Sequence, residues 1–138
     1  MRLPILYSFK RCPYAMRARM ALILGSKNCQ IREVELKNKP DQMLKISPKG
    51  TVPVLKIQNT VIDESLDIIS WAIDSQPSKV HQYTKQEQLR SSKLIKLFDA
   101  EFKFHLDRYK YSSRFDTDPM VHREECKILL EDLDIQIN

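Results

Sequence analysis

The chain has 138 residues, enough for one standard domain or two very small ones and for a real buried core. Hydrophobic residues make up 42% and charged residues 30%, with 2 Gly and 7 Pro, a composition that excludes collagen-like and glycine-rich low-complexity chains. The net charge of +5 sits in one half: residues 1–75 hold 12 Lys/Arg against 7 Asp/Glu, and residues 76–138 hold 11 of each. That surplus reads as a solvated basic surface or, more sharply, as a place that holds a small anionic ligand.

Residues 3–9 (LPILYSF) are short, apolar and aromatic-rich and read as a first strand rather than a signal peptide. Lys10-Arg11-Cys12-Pro13 breaks the strand, and Pro13 suits the first turn of a helix, where its missing N–H costs nothing. The spacing of Met16, Met20 and Ile23 or Leu24 predicts a helix up to Gly25, a natural C-terminal stop. Residues 30–36 (QIREVEL) read as a half-exposed strand, residues 40–46 as a short helix opened by Pro40, and Ser47-Pro48-Lys49-Gly50 as a turn. Residues 52–57 and 60–62 predict a hairpin around Gln58-Asn59, followed by a helix from Glu64 to about Ser75 with Leu66, Ile69 and Ile73 on one face.

Pro77 and Ser78 then mark a linker. From Lys85 to about Tyr111, the residues Leu94, Leu97, Phe98, Phe102, His105, Leu106 and Tyr109 give a long helical pattern. Asp118-Pro119 opens a last helix, striped by Cys126, Leu129, Leu130, Leu133 and Ile137. The element order is βαβα–ββα and then helices alone, which divides the chain into domains over residues 1–75 and 85–138. No apolar run approaches the roughly 18 residues of a membrane span. Three cysteines without an export signal argue against a disulfide scaffold and for a reducing cytoplasm.

Cys12 falls where a strand ends and a helix begins. A thiol there meets the positive end of the helix dipole and its free N–H groups. Lys10, Arg11, Arg17 and Arg19 lie close in sequence. These conditions lower a thiol pKa and make a thiolate nucleophile. Residues 12–15 are Cys-Pro-Tyr-Ala, so position 15 lacks the second thiol that a dithiol redox motif needs. Disulfide cycling within this turn is excluded, while exchange through a mixed disulfide with an external thiol stays open.

Four stretches together resemble the glutathione transferase superfamily, and within it omega-class transferases and two-domain bacterial glutaredoxins. They are Cys12-Pro13-Tyr14-Ala15-Met16-Arg17-Ala18-Arg19, Leu36-Lys37-Asn38-Lys39-Pro40, Ser47 through Leu55 (SPKGTVPVL), and Asp63-Glu64-Ser65-Leu66-Asp67-Ile68. The resemblance implies an α/β fold, with a thioredoxin-like N-terminal domain followed by a short all-helical C-terminal segment. It implies glutathione as co-substrate and a glutathione-dependent thiol transferase or reductase activity. By the same resemblance Cys12 matches the nucleophile and Tyr14 an aromatic flanking the site. Lys39 matches a lysine at the glycyl end of glutathione, and Val52 the residue whose backbone pairs with the cysteinyl part. Pro53 matches the family's cis-proline, and Glu64 with Ser65 the pair that holds the γ-glutamyl group. Asp63-Glu64-Ser65 also suits plain helix capping, and both roles can hold at once.

The remaining candidates read as structural. Tyr7 lies inside the first strand and is a packing residue. Cys29 has no redox spacing from Cys12, and Cys126 lies on an apolar helical face. His81, His105 and His122 show no ligand spacing, so no metal is expected. Residues 102–115 interleave aromatics with basic residues, but in an electrically neutral half, which argues against nucleic acid. In the resembling family this segment lines the second-substrate site, which would bring Tyr109 and Tyr111 near a small disulfide or an electrophile. Family members continue through further helices, so the resemblance covers the helical part incompletely. That leaves Leu129, Leu133 and Ile137 short of cover, so a homodimer or a mobile tail is expected. The competing readings are a glutathione-binding module without turnover and a non-catalytic interaction subunit.

Overall fold

The structure is a computed structural model that describes residues 2–74 and 83–137. The chain divides into two compact units, Met1–Gln82 and Tyr83–Asn138. The predicted linker at Pro77 and Ser78, and His81, lie outside the described residues.

Among the described residues of the first unit, four strands form one sheet in the order β2-β1-β3-β4. They are β1 (Ile5–Ser8), β2 (Gln30–Glu33), β3 (Val54–Ile57) and β4 (Thr60–Ile62), with helices α1 (Pro13–Leu24), α2 (Asp41–Ile46) and α3 (Ser65–Asp74). β1 pairs parallel with β2 and antiparallel with β3, which pairs antiparallel with β4. This is the βαβα–ββα order read from the sequence, in the thioredoxin-like arrangement that the family resemblance implies.

Strand alternation assigns each side chain to a face. Leu6 and Leu55 pack with Ala18, Ala21 and Leu22 of α1 and Ile68 and Ala72 of α3. Their neighbours Tyr7 and Val54 pack on the opposite face with Val34 and with Met43 of α2. Helices thus cover both faces of the sheet. A fully buried side chain of this size contributes about 1.5–3 kcal/mol. Tyr7 is therefore a core residue, as its strand position predicted.

Two helix faces differ from the sequence expectation. Met16, Met20, Ile23 and Leu24 of α1 are exposed, Ile23 at 77%. The buried face is instead Ala15, Ala18, Ala21 and Leu22. On α3 the buried set is Ser65, Ile68 and Ala72, while Leu66 is exposed. The reason is steric. α1 and α3 pack against each other closely enough that most of the buried positions are small, with Leu22 and Ile68 the bulky members. Gly25 belongs to that seam. Its φ of −77° is not left-handed, so it does not stop the helix by conformation. A Cβ there would lie 2.1 Å from the Ala72 carbonyl oxygen. The left-handed residue is Ser26, at φ 53°.

The second unit holds α4 (Lys85–Leu97), α5 (Lys103–Lys110) and α6 (Pro119–Ile137). Thr84 and Glu87 close a reciprocal capping box at the start of α4. A π-helical turn, Phe98–Phe102, carries α4 into α5, so the predicted long helix runs with one widened turn. Asp118 caps α6, its Oδ1 accepting from Met120 N at 2.8 Å. α5 and α6 pack side by side. Cys126 is the one buried side chain among the described residues of this unit. Leu129 and Leu133 are half-buried, whereas Leu130 and Ile137 are exposed.

Candidate active site

β1 stops at Ser8, and the chain turns tightly, Cys12 N donating to Phe9 O at 3.0 Å. The Cys12 carbonyl then accepts from Met16 N at 2.9 Å, the first bond of α1. Cys12 is the N-cap of that helix and Pro13 follows it, but the side chain makes no capping bond. The half-buried thiol is therefore not spent on the helix. It donates to the Val52 carbonyl oxygen across 3.7 Å. Val52 precedes the paired residues of β3 and is joined to buried Pro53 by a cis peptide bond. Thiol and chain edge face each other where a bound peptide thiol could add to both.

Three of the basic residues near Cys12 in sequence, Arg11, Arg17 and Arg19, have other partners. Arg19 donates to Ser8 Oγ at 2.6 Å, to Phe9 O at 3.4 Å and to Lys10 O at 3.1 Å. It thus clamps the β1–α1 connection. Arg17 Nε donates to Ser65 Oγ at 3.0 Å and its guanidinium covers the half-buried Tyr14 ring at 4.9 Å. Arg11 lies over Phe9.

Asp63 and Glu64 are held from the Ser47–Gly50 turn and Ser65 from α1. Buried Ser47 donates to Asp63 Oδ2 at 2.6 Å. Lys49 lies 3.4 Å from Asp63 Oδ1 and in close contact with Glu64 Oε1. Arg17 holds Ser65 from α1. The Ser47 hydrogen bond, aided by Lys49, lowers the Asp63 carboxyl below its ordinary range. The hydrogen bond to Glu64, with Asp63 adding attraction, raises the Lys49 ammonium. Gly50 ends this turn at φ +66°, and a Cβ there would meet Leu44 Cδ2 at 3.3 Å and Lys39 Nζ at 3.5 Å. Lys39 thus reaches over the same turn that carries Lys49.

Of the residues singled out in the sequence, Cys12, Val52 and Pro53 form one group, Ser65 joins Tyr14 through Arg17, and Lys39 lies at Gly50. Glu64 meets a partner the sequence did not announce. Lys49 stood in the sequence only as part of a turn motif, and Arg17 as positive charge near Cys12, not as a partner of Ser65. A loop lysine has no periodicity to betray its partner, and Arg17 is separated from Ser65 by 48 positions. Cys29 and Cys126 have thiols pushed up by burial. Cys126 points its thiol at the Phe102 carbonyl, 3.9 Å away.

The second unit brings together His105 and His122, Nδ1 to Nδ1 at 2.8 Å. Among the described residues no group of three or more His, Cys, Asp or Glu is disposed to hold a metal. A groove of about 780 Å³ runs between α5 and α6, floored by Phe102, Leu106, Tyr109, Cys126 and Leu130. Tyr111 lies apart from it, between Lys110 and Arg114. No helix among the described residues is long and apolar enough to cross a membrane.

A family model described as the glutathione S-transferase N-terminal domain matches residues 6–80. Glutathione S-transferase omega-2 of Rattus norvegicus is 37% identical over 95 residues, 67% of this chain and 38% of that protein. Among solved structures, glutathione transferase Omega 3C from Trametes versicolor superposes with a TM-score of 0.80 at 19% identity, over 96% of this chain and 58% of that one. A glutathione transferase homolog from Sulfitobacter, solved with bound glutathione, superposes at 0.68 and 16% identity, over 99% and 68%. The chain therefore spans well under half the length of the omega-2 relative.

Proposed function

The chain belongs to the glutathione S-transferase family, and from that premise we propose that it binds glutathione and acts as a glutathione-dependent thiol transferase through Cys12. The observation that carries this reading is the Cys12 thiol at the open end of α1, 3.7 Å from the Val52 carbonyl. The bound glutathione of the Sulfitobacter homolog supports the choice of ligand. In this reading the Val52 backbone pairs with the cysteinyl part of glutathione beside Pro53, and Tyr14 flanks the sulfur. Glu64 and Ser65 take the γ-glutamyl end and Lys39 the glycyl end.

The chemistry is a two-step exchange. The Cys12 thiolate attacks the glutathione sulfur of a mixed disulfide R–S–S–G. An S–S bond forms between Cys12 and the glutathione sulfur, the RS–SG disulfide bond breaks, and the R thiolate leaves and takes a proton from solvent. A second glutathione, as thiolate, attacks the glutathionyl sulfur. Oxidised glutathione leaves and Cys12 is again a thiolate. Ala15 offers no internal thiol to intercept the intermediate, so external glutathione completes each cycle. The same intermediate is a dead end for conjugation, in which the thiolate of free glutathione must attack an electrophile.

The test compares two glutathione-dependent reactions at matched concentrations: reduction of a small mixed disulfide and conjugation of a chloro-aromatic compound. Reduction is expected to dominate and to vanish in Cys12→Ser. Conjugation exceeding reduction, or reduction surviving in Cys12→Ser, overturns the reading.

A further inference from the structure

Lys49 occupies the carboxylate that the proposed function assigns to the ligand. Its ammonium sits against Glu64 Oε1 and 3.4 Å from Asp63 Oδ1. In the free protein, a ligand ammonium aimed at Glu64 finds an internal ammonium already there. We propose that Lys49 is a specificity-determining residue, and that the Lys49–Glu64 pair opens around an α-amino-acid head group, with the ligand ammonium going to Glu64 and its carboxylate to Lys49. The inference rests on the reading that this end of the site takes the γ-glutamyl group.

Charge balance favours such an exchange. An α-amino acid end carries one ammonium and one carboxylate, so inserting it turns one ion pair into two and leaves no charge unpaired. Opening the pair is cheap, because Glu64 is 68% exposed and exposed ion pairs contribute little. Asp63 keeps Lys49 from swinging away once Glu64 is taken. It is fixed by buried Ser47 and stays ionised, its carboxyl being lowered. A lysine suits this duty, since its ammonium is a compact charge on a flexible stem that can follow the ligand. Ser65, held by Arg17 at the start of α3, offers a second polar contact on the same side.

The proposal makes the free α-carboxylate a recognition element, and a ligand analogue can isolate it. Calorimetric titration of the full chain and of Lys49→Met uses two probes: S-methylglutathione, and the S-methyl derivative of γ-aminobutyryl-cysteinyl-glycine, which lacks only that carboxylate. Lys49→Met is expected to weaken S-methylglutathione by about tenfold or more, the worth of a charge-assisted hydrogen bond. The decarboxylated probe must displace Lys49 from Glu64 without gaining a carboxylate contact. It is expected to bind Lys49→Met at least as tightly as the unaltered protein, and Lys49→Arg is expected to recover part of the loss for S-methylglutathione. Equal or tighter binding of S-methylglutathione by Lys49→Met overturns the proposal and makes Lys49 a mere competitor for Glu64. Equal losses for both probes overturn it too, as a general disturbance of the turn. If the unaltered protein binds neither probe, the glutathione reading itself falls, which separates the two failures.

Discussion

Gly25 and Ala72 meet backbone to backbone: a Cβ on the glycine would lie 2.1 Å from the alanine carbonyl oxygen and 2.8 Å from its carbonyl carbon. No rotamer change relieves that clash, because both obstructing atoms are main chain. Gly25→Ala must push α1 off α3, and overpacking of this kind costs about 1–3 kcal/mol. Urea unfolding followed through Trp71, which stands on α3 beneath Lys27, measures it. An unchanged midpoint would show that the seam has slack.

The three thiols are free but differ in surroundings. Burial pushes the Cys29 and Cys126 thiols up, which leaves each with less thiolate at neutral pH. Brief alkylation at neutral pH, read by peptide mass, is expected to label Cys12 first. Incubation with oxidised glutathione is expected to add one glutathionyl group, at Cys12. Labelling of Cys29 at an equal rate would count against Cys12 as the nucleophile.

Acid is expected to loosen the turn that carries Lys49. The Asp63 carboxyl is lowered in the folded chain, first by Ser47 and then by Lys49. Its contribution to stability is therefore complete above the ordinary carboxylate range, and it is lost as the pH falls through the lowered value. Lys49 contributes in the opposite sense. Its ammonium is raised, so its share is present below the ordinary lysine range and lost as the pH climbs through the raised value. Melting curves across an acid series should drop less steeply for Asp63→Asn than for the unaltered chain. Parallel curves would remove Asp63 from the acid response.

One ring of the His105–His122 pair must donate and the other accept. His122→Ala leaves the half-buried His105 nitrogen without that partner, at a cost of about 0.5–1.5 kcal/mol. Hydrogen exchange should quicken in α5 and α6 but not in the sheet of the first unit. His122→Asn, which keeps a short amide able to donate or accept, should restore part of the protection. Identical exchange in the alanine variant would make the contact energetically idle.

The sheet was legible because strand alternation is local. Leu6 beside Tyr7 and Val54 beside Leu55 point to opposite faces whatever covers them. The start of α6 was legible for the same reason, Asp118-Pro119 being a complete signal in two residues. The face of α1 was not. Periodicity marks bulk, and Met16, Met20 and Ile23 outweigh alanine on any apolar scale, whereas the seam with α3 selects mostly small residues. Cys12 could be found because a cysteine at a strand-to-helix junction is a chemical statement by itself. Lys49 and the two histidines could not, since each depends on a partner from a distant element.

The π turn at Phe98–Phe102 bears on how the chain tolerates changes of length. Such a turn accommodates one residue more than the α-helical turn it replaces, while the helix on either side keeps its phase. Removing Ala100, which is exposed, should therefore leave an unbroken helix with α4 and α5 still in register. Removing a residue inside α5 instead would turn everything after it by about 100° around the axis, the angle between successive residues of a 3.6-residue helix. Within the continuous helical run from α4 to α5, this segment is where a one-residue deletion is expected to keep the helix in phase.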